Sequence, residues 1–450
     1  MLGRNAISGE GHVQILKVAI VSSLLAMNGA VADDMDKAVA ADYPYLDALY
    51  KHLHSNPEIS FQEEKTAARM AVELRKIGFY VTEKVGGHGI VAVLKNGSGP
   101  TVMVRTDLDG LPVKEQTGLE FASTATTMDD KDTLVPVMHA CGHDVHMTSL
   151  VGAARRLVAM RDKWQGTLVM IGQPAEEKVG GAKAMLEDGL FERFPRPDYN
   201  IALHVSASMA AGEVGMASGY ALANVDSVDI AVKGIGGHGA YPHTTKDPVV
   251  LASQIVVALQ TLVSRETSPL EPAVVTVGSF HAGTKHNIIS DGAHLQLTVR
   301  SYSDEVRKNL LTGIKRVARA QAASYGLPED KWPEVTYSEG TPATFNNPAL
   351  TARVKGVLAG KFGAEHVHTL SPVMGAEDFA YYGLVEPKIP SLMFWLGAAK
   401  PEDVAAASRG EKKLPSLHSP FFAPDRQTAL RTGVAAMTTT VIDLMNKPAE

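Results

Sequence analysis

One cysteine in 450 residues is the scarcest chemistry in this chain, and a lone thiol cannot form an internal bridge, so no disulfide framework holds the fold. Basic runs are also missing. With a formal net charge of -6 and no cluster of Lys and Arg, the chain lacks the phosphate-neutralising surface of a nucleic-acid binder. The near-balance of charge likewise argues against a membrane-surface role. Past the N-terminus, no stretch reads as the ~18 consecutive apolar residues of a membrane span. Internal repeats and low-complexity tracts are absent. There is no H-E-x-x-H, and no G-x-S-x-G elbow for a serine nucleophile. Gly234 to Gly239 matches G-x-G-x-x-G, but Ala240-Tyr-Pro-His-Thr-Thr opens no helix and no acidic residue follows about 20 positions on, so no dinucleotide site is expected.

What remains is the composition of an ordinary α/β protein, with 45% hydrophobic residues, 20% charged residues and 40 glycines, long enough for two or three domains. At the N-terminus, Lys17 precedes the apolar run Val18 to Ala26, and Ala30-Val31-Ala32 matches an A-x-A cleavage site. Residues 1–32 are therefore expected to be a signal peptide, and the mature protein to be exported, periplasmic or secreted, with no membrane segment after cleavage. A free thiol in an oxidising compartment survives if it is buried or bound to metal.

That thiol sits in Met138-His139-Ala140-Cys141-Gly142-His143-Asp144-Val145-His146, nine positions with three histidines and an aspartate. Cys, His and Asp together are a metal-ligand composition. A short non-helical segment would aim Cys141 and His143 inward, and the apolar spacing after Asp144 predicts a helix from about 144 to 161 with Asp144 as its N-cap. A thiol just before a helix N-terminus meets the positive end of the dipole, which favours thiolate.

The rest of the chain repeats one grammar. Apolar strands at 100–105, 166–172 and 199–203 are each followed by polar residues: Asp107 and Asp109 after the first, Glu176 and Glu177 after the second, His204 after the third. Open α/β sheets bind their ligands at such strand ends. Glu176 and Glu177 are neighbours, and in an extended segment they would point apart, one toward a metal and one toward substrate. Metal-assisted hydrolysis needs that division, with a carboxylate taking the proton of a bound water. From about 226 the pattern changes to a strand, helix, strand, strand, helix, strand series, a two-layer βαββαβ (ferredoxin-like) unit. It reads as an insertion at 226–340 between catalytic parts at 33–225 and 341–450.

The chain resembles the M20 family of metallopeptidases and amidohydrolases, closest to the branch of aminoacylase, hippurate hydrolase and auxin-amino-acid hydrolase type. The residues that carry this are Arg105 to Pro112, His139 to Asp144, Gln173 to Glu177, Ala202 to His204, Gly237 to His243, Met374 to Phe379 and Leu417 to Pro420. The resemblance implies a dinuclear site with Cys141, His143, Glu177, His204 and His418 as ligands, Glu176 as general base and Asp109 as an acid that orients a ligand. His139 and His146 then fall outside the ligand set. Two divalent ions are implied, zinc by ligand softness, with manganese, cobalt or nickel as related choices. The inserted unit looks like a lid or dimerisation domain, whose His238 would reach a partner subunit's active site in a homodimer. Asn287 and Arg300 resemble a pair that holds the substrate carboxylate.

The expected activity is hydrolysis of the amide of N-acyl or N-aroyl amino acids, with a carboxypeptidase or dipeptidase acting on short peptides as the alternative within the family. A metal-binding or solute-binding protein without catalysis is the alternative outside it. Four features depart from the family pattern: a polar loop at 124–135, no proline in Asn287-Ile-Ile-Ser290, no aromatic or proline in Val205-Ser-Ala-Ser after His204, and Ala376 where serine is common. Loops around a site set specificity, so these departures bear on substrate choice.

Overall fold

The computed structural model describes residues 34–446, so the leader expected at 1–32 lies outside the described residues. An eight-stranded sheet runs in the order Tyr80–Val85, Gly89–Asn96, Gly166–Gln173, Thr101–Asp107, Tyr199–Ala210, Ser391–Ala399, Val214–Met216, Val367–Thr369. Its centre is parallel: Thr101–Asp107 runs with both Gly166–Gln173 and Tyr199–Ala210, and the latter runs with Ser391–Ala399. A hairpin at 80–96 adds an antiparallel edge. The sheet is therefore mixed, in an α/β architecture.

Side chains alternate along the central strands between two cores. Val102, Val104, Leu168, Met170, Ile201, Leu203, Leu392 and Phe394 face one core, where the helices His143–Ala159 and Arg426–Leu444 pack. Met103, Val169, Ile171, Ala202 and Met393 face the other, which is closed by Ala182, Met185, Phe379 and Tyr382. Burial on both faces is why these strands read as continuous apolar runs. Full burial of one such side chain stabilises by about 1.5–3 kcal/mol, so the sheet centre is an anchored platform.

Three local expectations need correction. The helix begins at His143, with Gly142 at its N-cap in the left-handed region at φ 79°, so Asp144 lies in the first turn and does not cap it. A Cβ on residue 142 would stand 2.6 Å from Val205 Cγ2, so both the space and the positive φ at this N-cap require glycine. His204 does not follow its strand. Pairing with Ser391–Ala399 carries the strand on to Ala210 and places His204 opposite Trp395. The third concerns Pro248–Glu266, 19 residues that are long and apolar enough to qualify by composition as a membrane span. Leu251, Ala252, Ile255 and Leu259 of this helix pack on a sheet of the protein itself.

That sheet is the second layer system, four antiparallel strands in the order Ala273–Ala282, Gly292–Ser301, Asn224–Lys233, Glu334–Thr341. The helices Pro248–Thr261 and Asp304–Ser324 pack on it around Ile230, Leu295 and Ile314, a core separate from those of the large sheet. Asp247 accepts from the Val249 N–H and Ser303 from the Val306 N–H, capping the two helix starts. Within the polar segment at 124–135, Thr126–Met128 and Leu134–Pro136 pair as a small exposed hairpin.

Candidate metal centre

The turn after Gly166–Gln173, the middle of the strand Tyr199–Ala210, the turn before the helix at His143 and the segment at Leu417 and His418 meet at one cavity of about 460 Å³. It is lined by Cys141, Glu176, Glu177, His204, Arg300 and His418, among others. Cys141 Sγ lies 3.6 Å from His204 Nε2 and 3.3 Å from His418 Nε2. His143 Nε2 is 3.8 Å from a Glu177 oxygen and 4.0 Å from a Glu176 oxygen. The Glu177 oxygen is also 3.6 Å from His418 Nε2.

Each ring is aimed by its other nitrogen or by its backbone. His143 Nδ1 donates to the Asp109 carbonyl at 2.7 Å, and His204 Nδ1 to the Val205 carbonyl at 2.8 Å, so both present Nε2 to the cavity. His418 holds φ at 64°, a costly conformation for a residue with a side chain, and its N–H is tied to the Ala140 carbonyl. The Glu176-Glu177 turn is strained too, with Ala175 at φ 49° and the β-branched Val179 at φ 47°. Glu63 accepts from the Ala175 N–H at 2.7 Å, and Asp109 accepts from the N–H groups of Glu176 and Glu177 at 3.2 and 3.0 Å. This turn is not extended, so the two glutamates do not point apart as expected; both approach His143.

The charge environment is acidic. Burial, followed by Glu377 and Glu177, pushes Glu176 well above the ordinary carboxylate range, and burial raises Glu177 to about 7 against the pull of His143. Burial and the two glutamates also hold the Cys141 thiol well above its ordinary value. The helix dipole alone does not produce a thiolate here, and a cation is what would. Two buried atoms, His143 Nε2 and Glu177 Oε1, have no hydrogen-bond partner. A thiol, three imidazole Nε2 atoms and a carboxylate, with unpartnered atoms aimed at one space, fit borderline-soft divalent cations. The donors form two trios that share Cys141, one with His143 and His204 and one with Glu177 and His418, each with its donor atoms within 4.8 Å of one another. Adjacent trios of this kind offer donors for divalent cations.

The inserted unit contributes unevenly. Arg300 lines the cavity, its Nη1 donating to the Met374 carbonyl at 2.6 Å and its Nε to Thr298. His238 is exposed on a two-residue ladder opposite Ile288, and the exposed Asn287 stands just beside that ladder, its carbonyl accepting from the Gly239 N–H; neither lines the cavity of its own chain. Three supporting groups had no assigned role in the sequence reading. Asp107 accepts from His146 Nδ1 at 2.7 Å while His146 Nε2 accepts from the Val205 N–H, so both nitrogens of His146 are used and it has none left for a metal. Buried Arg105 is gripped by Asp107 at 2.7 Å and Glu377 at 2.6 Å, with Asp378 at 3.3 Å. The third is His54, whose burial works against protonation, yet Asp144 at 2.6 Å and Glu115 at 3.0 Å raise it to about 9. Arg105, Glu377 and Asp378 lie inside recognisable motifs, but their pairing spans more than 270 residues, which no local spacing reveals.

A mixed sheet whose strand ends carry a buried thiol, imidazole and carboxylate cluster defines a class, the metal-binding hydrolases of α/β fold. The chain belongs to peptidase family M20/M25/M40, whose model matches residues 103–419. It is an enzyme of amide-bond hydrolysis. It is 36% identical over 406 residues to thermostable carboxypeptidase 2 of Saccharolobus solfataricus, covering 89% of this chain and 95% of that one. To the hippurate hydrolase of Campylobacter jejuni it is 38% identical over 334 residues, covering 73% and 82%. Among solved structures, a dinuclear metal-binding peptidase of the M20 family from Bacillus subtilis superposes with a TM-score of 0.70 at 28% identity, covering 90% and 99%.

Proposed function

We propose that the protein is a metal-dependent amidohydrolase that cleaves the amide of N-acyl or N-aroyl amino acids and releases the free amino acid. The observation that carries this reading is that Cys141, Glu177, His204 and His418 line one cavity with Glu176 and Arg300, while His143 places a donor atom within 4.8 Å of those of Cys141 and His204. Cys141, His143, Glu177, His204 and His418 would hold two divalent cations, zinc by preference of the thiol and imidazole donors. When bound, such ions supply Lewis-acid polarisation and lower the pKa of water. Glu176, which lines the cavity beside the donor cluster, takes a proton from the attacking water and passes it to the departing amide nitrogen. The Arg300 guanidinium pairs with the carboxylate of the amino-acid half, assisted by Asn287. His238 of a second copy donates to the oxyanion that forms on the carbonyl, which makes the active form a homodimer. Its exposed position, outside its own cavity, supports a role in trans.

The carboxypeptidase name of the Saccharolobus relative favours a second reading, in which the acyl half is a peptide. Parallel assays on N-acyl amino acids and dipeptides separate the two. Chelation is expected to abolish hydrolysis, and zinc or manganese to restore it; hydrolysis that persists in thoroughly demetallated protein rules the mechanism out. We further propose export, which N-terminal sequencing of the mature protein tests by finding, or failing to find, a start near Asp33.

A further inference from the structure

A groove of about 760 Å³ adjoins the metal centre and is larger than the central cavity. Val373, Trp395 and Leu417 line both, so the two spaces share a wall. Trp395 also packs against the His204 ring, with centroids 5.1 Å apart. The floor carries the small residues Ser206, Ala207 and Ser208, which leave the space open. Leu370, Val404 and Leu414 make other parts of the lining apolar.

Charge divides the two spaces. The central cavity holds Arg300, whereas no Lys or Arg lines the groove and Glu213 is its one carboxylate. Glu213 stands just beyond the end of the strand Tyr199–Ala210, and His368 stands on the strand Val367–Thr369, paired in parallel with Val214–Met216. The two are 3.4 Å apart, with side chains 30% and 38% exposed. Both are therefore fixed by the sheet, and neither is explained by the chemistry at the metal centre.

Resting on the amidohydrolase reading, we propose that this groove is the acyl-group subsite and that Glu213, with His368, selects an elongated apolar acyl group bearing a neutral hydrogen-bond donor at its far end. Apolar walls with a few fixed polar groups are the usual construction of a specific small-molecule site. A carboxylate accepts hydrogen bonds, so it favours a hydroxyl terminus and disfavours an acyl chain that ends in a second carboxylate. Partial exposure to water limits the discrimination to about tenfold, because water competes for the same hydrogen bond.

The test uses metal-reconstituted full-length protein and one amino acid, glycine, acylated with benzoyl, phenylacetyl and 3-phenylpropanoyl groups, each with and without a para hydroxyl, and with a succinyl group. The hydroxyl is expected to raise kcat/KM by about tenfold in the member whose length fits, and succinyl to be the poorest substrate. In Glu213→Leu and His368→Leu the hydroxyl preference is expected to shrink toward unity. Calorimetric binding of the matching free aryl acids gives a readout independent of turnover. Turnover without any hydroxyl preference, or a preference that survives Glu213→Leu, overturns the subsite while leaving the amidohydrolase reading intact. Hydroxyl-dependent binding without turnover of any amide overturns the amidohydrolase reading and keeps the subsite. Neither turnover nor binding overturns both.

Discussion

The cluster around Cys141 and the patch around His238 and Asn287 are built in opposite ways. Around Cys141, the side chains of His143 and His204 are buried and aimed by second partners, the half-exposed His418 is fixed through its backbone, and strained backbone at Ala175, Val179 and His418 is held by the surrounding structure. At His238, the ladder is two residues long, the side chain is exposed, and its one hydrogen bond is local, from the Ala240 N–H. The first region has the order of a preorganised site. The second has the exposure that the proposed role in trans requires. Four measurements would break or sharpen this contrast, beginning with the framework behind the cluster.

Arg105→Met should have the largest effect. Arg105 is 1% exposed, and its removal leaves Asp107, Glu377 and Asp378 buried without their cation. Breaking such a buried arrangement costs about 3–5 kcal/mol, readable in urea denaturation of the metal-loaded protein. A loss under 1 kcal/mol would mean that the cluster is not over-determined from within. Glu176→Gln comes next. Loss of a general base should lower kcat by about 10²-fold or more while elemental analysis finds the metal content unchanged, and unaltered turnover would remove Glu176 from that role.

The third variant addresses the exposed patch. His238→Ala should lower kcat by about 10²-fold, as for other oxyanion donors. Mixed with Glu176→Gln and allowed to exchange subunits, it should regain activity, because one site of the mixed dimer would then combine an intact Glu176 with a partner's intact His238. Absence of recovery despite proven exchange would place His238 in its own chain's site or in none.

Legibility in the sequence follows the range of the interactions involved. Strands buried on both faces announced themselves as apolar runs between Gly and Pro, and the helix at Asp304–Ser324 stands where the βαββαβ series put its second helix. The hairpin at 80–96 did not, since its first strand mixes Thr82, Glu83 and Lys84 with Val at an exposed edge. His204 was found as a donor but misplaced at a strand end, because a partner nearly 200 residues away sets how far its strand runs. The same limit hid the grip of Glu377 and Asp378 on Arg105. Motif spacing reports what lies within one loop, and the groups that aim a site from behind are joined only by the fold.

The smallest effect tests whether the two regions are also separate in stability. Each has its own apolar core, and the strands Asn224–Lys233 and Glu334–Thr341 carry the chain into and out of the four-stranded unit. Ser303→Ala removes the acceptor for the Val306 N–H and should cost about 1 kcal/mol. If the cores unfold independently, hydrogen exchange will show the loss in 224–341 and leave the protection of the His143–Ala159 helix unchanged. Equal loss in both would make the molecule one cooperative unit, and the exposed patch at His238 would then share the rigidity of the cluster it is contrasted with.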